Sequence, residues 1–112
     1  MPHQLQVDQV FKALSDATRL AVVAQLARGE ASASELARPF NMALPSFVQH
    51  LGVLEDCGLV SSRKSGRIRT YRLEPRRLDA ARHWLDEQRS HWEKRFDQLD
   101  QFLITAKDND HG

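Results

Sequence analysis

Residues 32–58 read Ser32-Ala33-Ser34-Glu35-Leu36-Ala37-Arg38-Pro39-Phe40-Asn41-Met42-Ala43-Leu44-Pro45-Ser46-Phe47-Val48-Gln49-His50-Leu51-Gly52-Val53-Leu54-Glu55-Asp56-Cys57-Gly58. The stretch spells two short helices and a tight turn. Ser32 followed by Glu35 is a capping-box pattern, in which the Glu35 side chain reaches back to the Ser32 amide. The helix it opens, over 33–38, is limited by Pro39, because the residue before a proline avoids the helical region. Phe40-Asn41-Met42 makes the connection, with Asn41 as a residue that tolerates left-handed backbone. The second helix, over 44–56, accepts Pro45 in its first turn, where a missing N–H is not needed. Phe47, Val48, Leu51 and Leu54 supply its buried stripe, and Gly58 ends it.

The flanks extend the pattern. Upstream, Leu5, Val7, Val10, Phe11 and Leu14 predict a helix over 5–14. Asp16 is a good N-cap for a helix over 16–28, along which Leu20, Val23, Ala24 and Ala27 recur at helical spacing until Gly29. Downstream, strands over Val60–Lys64 and Arg67–Leu73, joined by Ser65-Gly66, make a hairpin over 60–73. Pro75 opens a long helix over 75–104, and residues 105–112 form a polar tail. A chain of 112 residues reads as a single domain. The predicted fold class is mainly α with a small β-hairpin: a winged helix-turn-helix whose N- and C-terminal helices form a dimer interface.

Composition bounds the function without naming it. A net charge of +1 does not announce nucleic acid, so the placement of charge must decide. Cys57 is the single cysteine, which rules out an intramolecular disulfide or a cysteine-based zinc cluster. Met1 to Val10 lacks the apolar core of a signal peptide, and no apolar run approaches a membrane span, so the expected location is cytoplasmic. There is no glycine-rich phosphate loop, nucleophile–base pair or paired-carboxylate site, so the chain reads as a non-enzyme that needs no cofactor.

Two helices joined by a short turn and followed by a basic hairpin make a DNA reader. The second helix can present its N-terminal residues to base edges in the major groove. Those residues are Leu44, Pro45, Ser46, Gln49 and His50. Gln49 can pair with adenine through two bonds, Ser46 can bond several bases, and Leu44 or Pro45 can touch a thymine methyl. Affinity falls to the hairpin, where Arg63, Lys64, Arg67, Arg69 and Arg72 lie in a stretch without an acid. With Tyr71 and Leu73 facing the core, these cations suit phosphates or a narrow minor groove.

Three segments resemble the ArsR-type winged-helix repressors: Ala13-Leu14-Ser15-Asp16-Ala17-Thr18-Arg19-Leu20, then Val48 to Val60, then Gly66-Arg67-Ile68-Arg69-Thr70-Tyr71-Arg72-Leu73. The resemblance spans about residues 8–103 in the right order. It implies a homodimer that binds operator double-stranded DNA, usually represses, and is released by an inducer, here of unknown chemistry. The last helix supports a dimer on its own. Leu78, Leu85, Trp92 and Leu99 recur every seven residues, with Ala81, Gln88, Phe96 and Leu103 beside them. Leu5, Val10, Leu78, Leu85, Trp92, Phe96, Leu99 and Leu103 are therefore the expected interface.

The resemblance also raises metal sensing. A cysteine pair used by some family members falls at Ser32 and Ser34, and serine is a poor ligand for soft metals. On the last helix, Asp79, His83, Glu87 and His91 stand four apart, a spacing unlike the family's. A straight row cannot wrap one tetrahedral ion. The plain reading is i,i+4 pairing of Asp79 with His83 and Glu87 with His91, and no metal site. Two other readings stay open: a metal-responsive repressor using these four residues, and a dimeric protein-interaction module that has lost DNA binding.

Overall fold

Local donor–acceptor exchanges start the helices where charge and hydroxyl placement predict. The computed structural model describes residues 3–110, and the side chains of residues 7–106. Helix α1 (His3–Leu14) ends before the Ser15-Asp16 turn, and α2 (Ala17–Leu26) is capped by Asp16, whose Oδ2 accepts the Arg19 N–H at 3.0 Å. The full capping box forms at α3 (Ala33–Ala37): Ser32 Oγ accepts the Glu35 N–H at 3.2 Å, and Glu35 Oε1 accepts the Ser32 N–H at 3.1 Å. Helix α4 (Leu44–Asp56) has Pro45 in its first turn and no side-chain cap. It stops in a Schellman arrangement around Gly58, where the Leu59 N–H reaches Leu54 O at 3.0 Å and the Gly58 N–H reaches Glu55 O at 2.9 Å. Gly58 is required because its φ is +81°; an added Cβ would also displace the Arg77 side chain, whose Nε would lie 2.6 Å away.

Strands β2 (Val60–Ser65) and β3 (Ile68–Leu73) pair antiparallel from Val60–Leu73 to Ser65–Ile68. The loop is therefore Gly66-Arg67, one residue later than the expected Ser65-Gly66. Positive φ at Gly66 (+64°) and at no non-glycine residue is the II′ hairpin pattern. A third strand, β1 (Ala31–Ser32), was not expected; it pairs with β3, giving the order β1-β3-β2. Asn41 does not take left-handed backbone, since a six-residue connection gives the turn room without it. Helix α5 runs Pro75–Asp110, beyond the expected 104.

The chain divides into two compact units, Met1–Ala81 and Arg82–Gly112. The first holds the core: Val7, Val10, Ala13, Val22, Leu26, Leu36, Phe47, Leu51, Leu54 and Leu59 are buried. Two expectations about facing are corrected. On α2 the buried pair is Val22 and Leu26, while Leu20, Ala24 and Ala27 are exposed; several apolar rows share this helix, and the other row packs. Val10, expected at a dimer interface, is buried in the core of its own chain. The side chain of Leu5 lies outside the described residues. Among the described residues no helix is long and apolar enough to cross a membrane.

Candidate nucleic-acid interface

Helix α4 buries Phe47, Leu51 and Leu54 completely. At 3.6 residues per turn the line opposite that stripe carries Pro45, Gln49, Gly52 and Asp56. Leu44 and Val48 lie on one side of this line, Ser46 and Val53 on the other. Leu44, Pro45, Ser46 and Gln49 are exposed, as a reading face requires. Val48 was expected in the core and is 42% exposed, because one step beyond Phe47 turns it away from the core and into line with Leu44. Gly52, on the same line, drew no attention in the sequence. A glycine inside a helix costs about 1 kcal/mol relative to alanine, which is the signal that could have found it. A Cβ there would meet nothing within 4 Å, so no contact inside the chain requires glycine.

His50 is drawn toward the end of α1 and the cap of α2. It is half-buried, and its Nδ1 lies 3.0 Å from an Arg19 terminal nitrogen and 3.7 Å from Asp16 Oδ2. A guanidinium only donates, so Nδ1 accepts. Arg19 Nε also donates to the Ala13 carbonyl at 2.6 Å. The Arg19 backbone N–H first, with the Arg19 charge behind it, holds the Asp16 carboxyl below its ordinary pKa. The end of α1, the cap of α2 and the middle of α4 are thereby tied through one arginine, which fixes the reading helix on its scaffold. The lone cysteine, Cys57, is buried at the end of α4 and its thiol points to Leu54 O at 3.4 Å.

The wing sorts its cations by face. Lys64 and Arg69 are direct cross-strand partners, so they project from the same face near the tip, and Arg67 sits in the turn. Like charges placed opposite each other destabilise a strand pair unless an anion lies between or above them. Arg69 also donates to Ser62 Oγ at 2.9 Å. On the other face two of the expected cations meet acids from outside the hairpin. Arg63 pairs with Glu30 at 3.3 Å, and Arg72 with Glu74 at 3.1 Å. The Ser61 hydroxyl first, then Arg72, holds the Glu74 carboxyl below its usual range. Tyr71 anchors the sheet in the core, and burial together with Glu55 pushes its phenol pKa up.

Residues 14–63 match the family model described as a helix-turn-helix domain. The HTH-type transcriptional regulator Rv2034 of Mycobacterium tuberculosis is 43% identical over 70% of this chain and 74% of its own. The crystal structure of an ArsR family transcriptional regulator, RHA00566, superposes with a TM-score of 0.76 at 49% identity, over 79% of this chain and 97% of that one. This chain belongs to the ArsR family of transcriptional regulators. The transcriptional repressor SdpR of Bacillus subtilis is 32% identical over 70% of this chain and 88% of its own. The solution structure of the homodimeric winged helix-turn-helix domain Mb0332 of Mycobacterium bovis, described as a possible ArsR-family member, matches with a TM-score of 0.60 at 32% identity, over 80% of this chain and 81% of that one.

The second unit carries a separate apolar surface. Within it, Leu85, Trp92, Phe96, Leu99 and Leu103 line one side of α5 and are all at least half exposed. Trp92 and Phe96 stack their rings at 5.9 Å between centroids. Leu78, expected in the same interface, lies in the first unit and packs partly against its core. The metal-like row pairs differently from expectation: His83 Nε2 meets Glu87 Oε1 at 2.8 Å, so Glu87 turns toward His83 rather than His91. Among the described residues no three His, Cys, Asp or Glu side chains are grouped to hold one ion.

Proposed function

We propose that this ArsR-family regulator is a homodimeric repressor that reads a two-fold symmetric operator and acts by occupying it in the cytoplasm, without a resident metal or a catalytic step. Leu44, Pro45, Ser46, Val48, Gln49 and Gly52 face the major groove, with Gln49 as the base-reading side chain. Lys64, Arg67 and Arg69 hold phosphates or the adjacent minor groove. The apolar side of α5 pairs with a second copy, which sets two reading helices about one helical turn apart.

The observation that carries the reading is the Lys64–Arg69 pair facing across the wing, with Arg67 beside it in the turn. Among the described residues no acid is paired with these three cations, in contrast to Arg63 and Arg72. Arg63 and Arg72 contribute less, because Glu30 and Glu74 already offset them. Single alanine substitutions test the division of labour. Arg67→Ala and Arg69→Ala weaken every duplex similarly and lower the salt slope by about one each. Arg63→Ala and Arg72→Ala change it less. Gln49→Ala alters the preferred base at one position, at a cost of about 1–3 kcal/mol. Unchanged affinity and base preference in Gln49→Ala would remove this face from the interface.

A further inference from the structure

Within the first unit, α1, the start of α2 and the last turn of α4 surround a solvent-open cavity of about 390 Å³. That volume lies in the range of small-molecule sites, roughly 300–1,000 Å³. Ala13, Val53 and Cys57 give it apolar walls. Lys12 and Arg19 bring two positive charges to it, and Asp56 brings one negative charge. Arg19 is the same residue that ties His50 of α4 to the Ala13 carbonyl, at 3.0 and 2.6 Å. A cavity-lining cation is therefore also the tether of the reading helix.

We infer that this cavity takes a small organic monocarboxylate with an apolar body, and that its occupation loosens α4 from the DNA-reading pose. A carboxylate can accept two parallel bonds from a guanidinium and brings a full negative charge to them, where His50 and the Ala13 carbonyl offer single uncharged acceptors. It therefore outcompetes the neutral His50 nitrogen and the Ala13 carbonyl for Arg19. Lys12 adds a second cation for the same carboxylate. The ligand's apolar body lies on Ala13, Val53 and Cys57, two of which belong to α4 or its cap. Asp56 disfavours a second carboxylate on the ligand. The regulatory half of this inference rests on the DNA-binding reading; the binding half does not. Linkage makes the coupling reciprocal, so the factor by which ligand weakens DNA equals that by which DNA weakens ligand.

The test uses the full chain, first without DNA. Benzoate, phenylacetate and octanoate are titrated calorimetrically, with benzamide as the uncharged control. The expected result is a saturable isotherm for at least one acid, none for benzamide, and binding weakened about tenfold in Lys12→Gln, the scale of one charge-assisted hydrogen bond. Lys12→Gln in the absence of ligand retains wild-type melting temperature and duplex affinity. No saturable binding of any of the three acids at millimolar concentration overturns the site, as does binding that persists unchanged in Lys12→Gln. The acid that binds is then added to the protein–duplex complex, where a fall in affinity of about 5–150-fold is expected, the usual scale of coupling. Binding without that fall overturns the coupling. A ligand-free protein that retains no duplex contradicts the DNA-binding reading instead, so the two failures are told apart.

Discussion

Leu51 and Leu99 are both helix residues with apolar neighbours three and four positions away, yet Leu51 is wholly buried and Leu99 is half exposed. The difference is one of partners. In the first unit four helices and a small sheet close over one another, and their apolar rows meet inside one chain. In the second unit a single stretch of helix carries an equally regular row, and Leu85, Trp92, Phe96 and Leu103 remain open along it. In the proposed dimer this row is the surface on which the second copy packs. The first unit derives its stability internally, and the second calls for burial from outside itself.

The largest effect that can break this contrast is in the core. Phe47→Ala is expected to cost about 3–5 kcal/mol of unfolding free energy in urea titrations, the range for truncating a buried phenylalanine. Leu99→Ala should change the stability of the monomeric chain by no more than about 0.5 kcal/mol, as for an exposed position. Equal losses would mean that the two rows are packed alike. Next in size is association. Trp92→Ala should weaken the dimer by about 2 kcal/mol or more, as for a buried interface aromatic. Sedimentation equilibrium would report that as a roughly 30-fold rise in the dissociation constant. The helical circular dichroism of the diluted monomer should stay unchanged.

Gly52 sharpens the comparison from the other direction. Gly52→Ala should stabilise the free protein by up to about 1 kcal/mol, because the helix gains propensity and the new Cβ meets nothing in the chain. It should at the same time reduce duplex affinity, measured by fluorescence anisotropy, if DNA approaches the helix at that point. A stabilised variant with full affinity would place DNA elsewhere.

The smallest effect is in acid. Asp16, Glu35 and Glu74, all in the first unit, have carboxyl pKa values lowered by hydrogen bonds that their charged forms accept. A lowered folded-state pKa means that the unfolded chain binds protons more readily. The stability they contribute is complete above the ordinary values of 3.8 and 4.5 and is lost as pH falls through and below them. Thermal melts of the first unit's signal between pH 7 and pH 3 should therefore fall, and Glu74→Gln should flatten the fall slightly.

Most of the architecture was readable because its punctuation is local. Asp16, Ser32 with Glu35, Pro45 and Gly58 each fix a helix end within a few residues, and each is found where that chemistry operates. What was misread depends on contacts between distant segments. Strand β1 is two residues long and has no period to detect; only pairing with Thr70 and Tyr71 makes it a strand. On α2 several apolar rows compete, and periodicity alone cannot choose between Leu20 with Ala24 and Val22 with Leu26. The acids that meet Arg63 and Arg72 come from Glu30 and Glu74, outside the hairpin whose acid-free composition suggested five equivalent cations. The contact of His50 with Arg19, 31 positions away, has no signature in local spacing.

In the proposed dimer, two copies of α4 and the wing read one symmetric operator. Selection of duplexes from a random labelled pool, at near-physiological salt and over several rounds, tests it most directly. A symmetric dimer enriches a two-fold symmetric motif whose half-sites lie about one helical turn, roughly 34–36 Å, apart. Retention of duplexes with no enriched sequence, or enrichment of a single unpaired half-site by folded protein, would contradict it.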